Sequence, residues 1–208
     1  MDVMELRRMV MLSIPHNSFP SGYTKVQYIA SDTDTNNSGQ YIITGVIPNN
    51  GIKVECGFEF LVTNPYQTLF GVKSNRFGFG NTNSSTNFRA YVEGTGHDYN
   101  TQGIVNYFDI VMDMGGFDLN GHIESWTPPT STANSALWLF GKSTSSGALD
   151  VKSKCRIYYC KIYDNNNILR DYIPCVRDSD NVAGLYDMVT KEFYINNGNG
   201  YFVAGPTA

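Results

Sequence analysis

The chain is short of charge, of histidine and cysteine, and of long apolar runs, and each shortage removes a class of function. Among 208 residues, 15 are basic and 19 acidic, a net charge of −4 with no long run of either sign. That excludes the basic stripe with which nucleic-acid binders grip phosphates. No stretch approaches the roughly 20 apolar residues of a membrane span. Near the start, Met9 to Leu12 makes an apolar run of only four residues, against the roughly 7–15 of an export signal. A protein made and left in the cytoplasm of its host cell is the expectation. His16, His97 and His122 lie in unrelated segments without paired ligand spacing. No serine-nucleophile elbow, His-Glu-x-x-His helix or phosphate-binding loop occurs. Cys56, Cys155, Cys160 and Cys175 are too few and too irregular for a disulfide scaffold. Cys155 and Cys160, five apart, are predicted to face opposite sides of one strand. Reduced cysteines packed in the interior are expected, with a Cys160–Cys175 bridge across a hairpin as the alternative.

What the chain does have is β material. It carries 14 Tyr, 12 Phe and 20 Gly, with frequent Asn, Thr and Ser. Aromatics suit pleated, half-buried strands, and Gly and Asn suit the turns between them. A chain of this length can bury a real core as one large β-sandwich. The clearest signal lies near the end. Cys155–Asp164 and Ile168–Pro174 are rich in Ile and Tyr and flank Asn165, Asn166 and Asn167, which predicts a hairpin. A second hairpin is predicted from Gly184–Val189 and Glu192–Ile195 around Thr190-Lys191. Further strands are predicted at 24–30, 40–44, 53–62, 67–72, 76–80, 88–92, 106–114 and 136–141. In the strand over 53–62, Glu55, Gly57 and Glu59 share one face, and Val54, Cys56, Phe58 and Phe60 the other. Gly115-Gly116 reads as a tight turn leading to Phe117–Gly121.

Two groups of residues carry a resemblance. One comprises Ile157–Asp164, Leu169–Cys175, Gly184–Asp187, Phe193-Tyr194 and Gly200–Gly205. The other comprises Pro20–Ser31 and Gly39–Gly45. Together they resemble a laminin-G-like, concanavalin A-like jelly-roll domain of the type found in bacteriophage virion proteins and in proteins of gut bacteria. The resemblance covers about Pro20 to Gly205 and is weak in the middle. It departs from the pattern in an enlarged connection, Asp32–Ser38, and in Ile43, where an Asp is expected. It implies an all-β, two-sheet antiparallel jelly-roll sandwich (residues 21–206) with a short N-terminal extension (residues 1–20). It also implies roles as glycan-binding modules, adhesins, or capsid and tail decorations.

The extension has Val3, Leu6 and Val10 at helical spacing among four methionines. That makes an adaptable apolar face able to dock on a partner, set against the plainer reading of a frayed terminus. The loop Asp32-Thr-Asp-Thr-Asn36 places oxygens of Asp32, Asp34 and Asn36 at alternate positions, as a calcium loop would, which makes them weak calcium candidates. An EF-hand needs a glycine at the sixth place and a closing Glu at the twelfth. Asn37 and Ile43 stand there, so a solvated loop is expected and no cofactor is required. Asp109 and Asp113 would lie about 13 Å apart along one strand, beyond the roughly 5–10 Å of glycosidase pairs. A solvated strand face is expected of them. Glu55-Cys-Gly-Phe-Glu59 lacks the middle carboxylate of related-fold hydrolases, so the chain is read as non-enzymatic. Tyr66, Tyr91, Tyr99, Tyr107 and Trp126 lie near Asn- and Asp-rich turns, the ingredients of a sugar site. The loop holding His97, Asp98, Tyr99 and Asn100 is the candidate.

These readings converge on a virion structural protein: a capsid-decoration, head-fibre or tail-associated subunit. Other virion proteins would be its partners through the N-terminal segment. Cell-surface or mucin glycans would meet its outer face, and clustered copies would gain avidity. A bacterial glycan-binding or adhesin module is the alternative, and a glycoside hydrolase the third.

Overall fold

The computed structural model describes residues 19–31, 39–62, 66–73, 76–82, 87–101, 107–130, 133–143 and 149–208. The docking residues Val3, Leu6 and Val10, the calcium-loop residues Asp32, Asp34 and Asn36, and His16 lie outside the described residues.

In chain order the first strands are β1 (Tyr23–Lys25), β2 (Ile29–Ala30), β3 (Ile42–Ile43) and β4 (Ile52–Phe60). Then come β5 (Thr68–Gly71), β6 (Phe77–Asn81), β7 (Asn87–Val92), β8 (Thr95–Asn100), β9 (Phe108–Asp113) and β10 (Gly116–Leu119). The chain continues through β11 (His122–Ser125), β12 (Trp138–Leu139), β13 (Gly141–Ser143) and β14 (Leu149–Lys152). It finishes with β15 (Cys155–Asp164), β16 (Asn167–Arg177), β17 (Val182–Asp187), β18 (Glu192–Tyr194) and β19 (Val203–Ala204).

An 11-stranded sheet runs β11-β10-β9-β4-β15-β16-β17-β18, with β1, β2 and β19 attached to it. An 8-stranded sheet runs β14-β13-β5-β6-β7-β8, with β12 pairing with β5 and β3 pairing with β12. All pairings are antiparallel except a single β13–β5 contact. Phe58, Phe60 and Phe108 of the large sheet meet Phe79 and Phe88 of the small one at ring separations of 4.7–6.2 Å. One apolar core therefore joins the two sheets. The molecule is a two-sheet antiparallel β-sandwich, compatible with a jelly roll. Among the described residues no helix is long and apolar enough to cross a membrane.

The C-terminal hairpins form where the turn chemistry points. Asn165 and Asn166 adopt φ of 47° and 68° and join β15 to β16. Lys191, at φ 63°, closes the β17–β18 turn beneath Asp187. That buried carboxylate accepts from the amides of Asp171 and Val189 and from the Thr190 hydroxyl. Pro174 lies mid-strand, where a missing N–H normally breaks a ladder. Its carbonyl accepts from Val26. In a strand the N–H and C=O of one residue point the same way, so the missing donor faces the junction where β16 changes partner from β15 to β1.

Several expectations are corrected. Within the segment 94–100, Thr95–Asn100 is a strand, not a loop. Glu93 and Gly94, at φ 52° and 79°, make a hairpin turn that lays β8 along β7. The strand expected over 136–141 is broken, because Phe140 takes φ 64° and separates β12 from β13. The strand expected over 24–30 is split into β1 and β2. β11 was not anticipated; Asn120-Gly121, at φ 53° and 89°, folds it back on β10. Cys155 and Cys160 both face the core, because a register shift between Ile157 and Tyr159 inserts one extra residue between them. All four cysteines are free and buried. Cys160 stands opposite Tyr172, not Cys175, so the Cys160–Cys175 bridge is absent.

Candidate functional site

Alternation sends the residues between core positions to the outer face of the large sheet. From β4 come Lys53, Glu55, Gly57 and Glu59; from β9, Asp109, Val111 and Asp113. From β15 come Arg156, Tyr159, Lys161 and Tyr163. The bulge that keeps Cys155 and Cys160 inside also brings Tyr158 and Tyr159 together on the outside. Tyr158 packs edge-on against Tyr28 and Tyr107, at 5.4 and 5.0 Å.

Each carboxylate at the centre of this face is held by tyrosine. Asp109 stands across from Gly57, and its Oδ1 accepts from both Tyr107 and Tyr159 hydroxyls at 2.8 Å. Glu59 Oε2 accepts from Tyr158 at 3.0 Å and from Arg156 at 2.8 Å. Glu55 accepts from Tyr163 at 3.0 Å and pairs with Lys53 at 2.9 Å. Two cations lie over rings: Lys53 4.2 Å from the Tyr163 centroid and Arg156 4.5 Å from that of Tyr28. Gly57 is required by this arrangement, since a Cβ there would run into the Tyr159 ring and the Tyr107 hydroxyl.

Burial is the main reason the hydroxyls hold their protons, and the neighbouring carboxylate charge adds to it. Tyr158 and Tyr163 are pushed up to about 12, with Glu59 and Glu55 as the respective charges. Tyr107 and Tyr159 beside Asp109 go well above the ordinary phenol range for the same two reasons. Burial also raises the Asp171 carboxyl, and Lys161 at 3.7 Å partly offsets it.

Asp109 was expected on a solvated face. It is instead only 8% exposed, covered by Tyr107, just before β9, and by Tyr159 of β15. It also fills, from the neighbouring strand, the middle place that Gly57 leaves empty between Glu55 and Glu59.

Strand alternation divides the expected site on β8. His97 and Tyr99 face the other sheet, stacked on Trp126 and His122 at 3.8 and 3.7 Å. Asp98 lies on the opposite face, paired with Arg89, and Asn100 shares the Asp98 parity. The four residues do not converge. Of the other aromatics singled out, Tyr107 belongs to the outer face, while Tyr91 lies beneath Arg89 and Lys142. Beyond Asp109 the face grades into a shallow hollow of about 420 Å³, lined by Val111, Asp113, Asp118, Ile123 and Pro128. Among the described residues no group of His, Cys, Asp and Glu could hold a metal ion.

Sequence reasoning missed the pairing of Asp109 with Tyr159, which come from strands far apart in the chain. The adjacent Tyr158-Tyr159 was the available signal, because two like residues in succession break a period of two. No protein-family model matches this chain, and no curated protein sequence matches it.

Proposed function

We propose that this chain is a non-enzymatic bacteriophage virion protein. It is a capsid-decoration, head-fibre or tail-associated subunit that displays the sandwich as a lectin-like jelly roll. Its tyrosine-rich outer face makes weak contacts with glycans. The observation that carries the adhesive part is the cluster of half-buried Tyr28, Tyr107, Tyr158, Tyr159 and Tyr163 around Glu55, Glu59 and Asp109. Sugar sites combine aromatic surfaces with a few fixed polar groups on a rigid scaffold, and this face has both. The virion part rests on the laminin-G-like resemblance of the opening and closing segments. A bacterial adhesin module would use the same face.

The test joins two measurements. An array of bacterial capsule and mucin glycans is probed with the full chain and with Tyr158→Ala and Tyr163→Ala. Purified phage particles are probed for the chain itself. Saturable binding that falls about tenfold in either variant is expected, a loss of roughly 1.4 kcal/mol, together with the chain in the particles. Binding without particle association would move the reading to the adhesin module. Absence of binding in every arm would leave the outer face without a ligand and overturn the adhesive role.

A further inference from the structure

Two thiols of the large sheet lie directly opposite each other. Cys56 on β4 and Cys160 on β15 are cross-strand partners, both wholly buried on the core face. Their place in the ladder can be worked out. The amide of Asn165 donates to the carbonyl of Gly51 at 2.9 Å, which makes that pair a hydrogen-bonded one. Alternation then makes 53–163, 55–161 and 57–159 hydrogen-bonded, and 56–160 a non-hydrogen-bonded pair. At such pairs the Cα atoms approach to about 4.5 Å, inside the roughly 4.4–6.8 Å that a disulfide spans.

We propose that Cys56 and Cys160 form a cross-strand disulfide when the chain folds or opens in the presence of a small-molecule disulfide oxidant. One thiolate attacks the oxidant and displaces a thiol from it. The second cysteine then attacks the mixed disulfide and releases the other thiol. Two S–H bonds are lost, one S–S bond forms, and the oxidant takes up two electrons and two protons as two thiols. The bridge pins together the strands that carry the outer tyrosine cluster. It rests on strand register alone, independently of the glycan reading.

Burial pushes the Cys56 thiol well up, with Cys160 as the next cause. The attacking thiolate is therefore scarce in the closed fold, and oxidation is expected during refolding and slowly, if at all, in the native state. Neither other cysteine competes on geometry: Cys155 pairs with Phe60, and Cys175 with Lys25 and Gly184.

The full chain is refolded from the reduced, unfolded state in an oxidised/reduced glutathione buffer and digested without reduction. The expected result is loss of two of the four thiols and a cross-linked peptide pair containing Cys56 and Cys160. Cys155→Ser and Cys175→Ser should keep that pair, and Cys56→Ser and Cys160→Ser should lose it. Four thiols remaining in the refolded wild type would overturn the proposal, as would a bridge between any other pair. The wild-type map decides the matter even if a serine variant fails to fold.

Discussion

The two faces of β4 and β15 make an instructive pair of surfaces on one backbone. Inward, Val54, Cys56, Phe58, Ile157, Cys160 and Ile162 are fully buried. Outward, Glu55, Glu59, Tyr159, Lys161 and Tyr163 are only half-buried and held by directed polar contacts: Tyr163 with Glu55, Tyr159 with Asp109, Glu59 with Tyr158 and Arg156, and Lys161 with Asp171. The inner face is held by area and shape, which are tolerant of volume-conserving change. The outer face is held by hydrogen bonds whose net worth is small but whose loss leaves orphaned groups. The inner face should therefore dominate stability, while the outer face, whose groups keep their polarity and partial exposure, is the one available for recognition.

The largest effect expected is at Phe58. Its ring contacts Phe60, Phe79, Phe88 and Phe108 and so touches both sheets. Phe58→Ala should lose about 3–5 kcal/mol in denaturant unfolding. A loss below about 1 kcal/mol would break the comparison, because the core would then not depend on its aromatic centre.

Asp109→Ala should cost less, about 2 kcal/mol, by leaving the Tyr107 and Tyr159 hydroxyls without their acceptor. Adding Tyr159→Phe in that background should be nearly neutral, since the hydroxyl it removes is already orphaned. In the wild type the same change removes a real hydrogen bond, worth about 1 kcal/mol. Additive losses in a double-mutant cycle would mean that the outer face is not a network.

The same contrast explains what the sequence made legible. The β15–β16 and β17–β18 hairpins are written locally: Asn165 and Asn166 accept positive φ, and the flanking runs supply strand residues. The two faces of β4 follow from alternation alone. β8 is different, because Thr95, Gly96, His97 and Asp98 lack an apolar period, and the strand exists through pairing with β7. The shared inward face of Cys155 and Cys160 depends on a bulge that β4 imposes from about a hundred residues away. Alternation also placed Asp109 on the outer face but could not show that Tyr159 would cover it. Local chemistry shows in a sequence; the partner that a strand acquires does not.

The finest test separates the faces by pH. Burial, with the adjacent Glu59 and Glu55 charges, raises Tyr158 and Tyr163 from an ordinary 10.0 to about 12. On the core side, burial raises Cys155 and Cys175 from 9.0 to about 12 and pushes Cys56 well up. A group whose pKa is higher in the fold stabilises it fully while both states keep the proton. That contribution is lost once the unfolded chain releases the proton and the fold does not. Stability should begin to fall between pH 9 and 10 through the buried thiols, and fall more steeply between 10 and about 12 as the tyrosines join. Tyr158→Phe with Tyr163→Phe should lessen the fall above pH 10, where Tyr107 and Tyr159 still contribute, and leave the earlier decline in place; Cys155→Ser with Cys175→Ser should lessen the earlier decline. If the tyrosine pair changes nothing above pH 10, the outer hydroxyls are not held as described, and the division of labour between the two faces fails at its polar half.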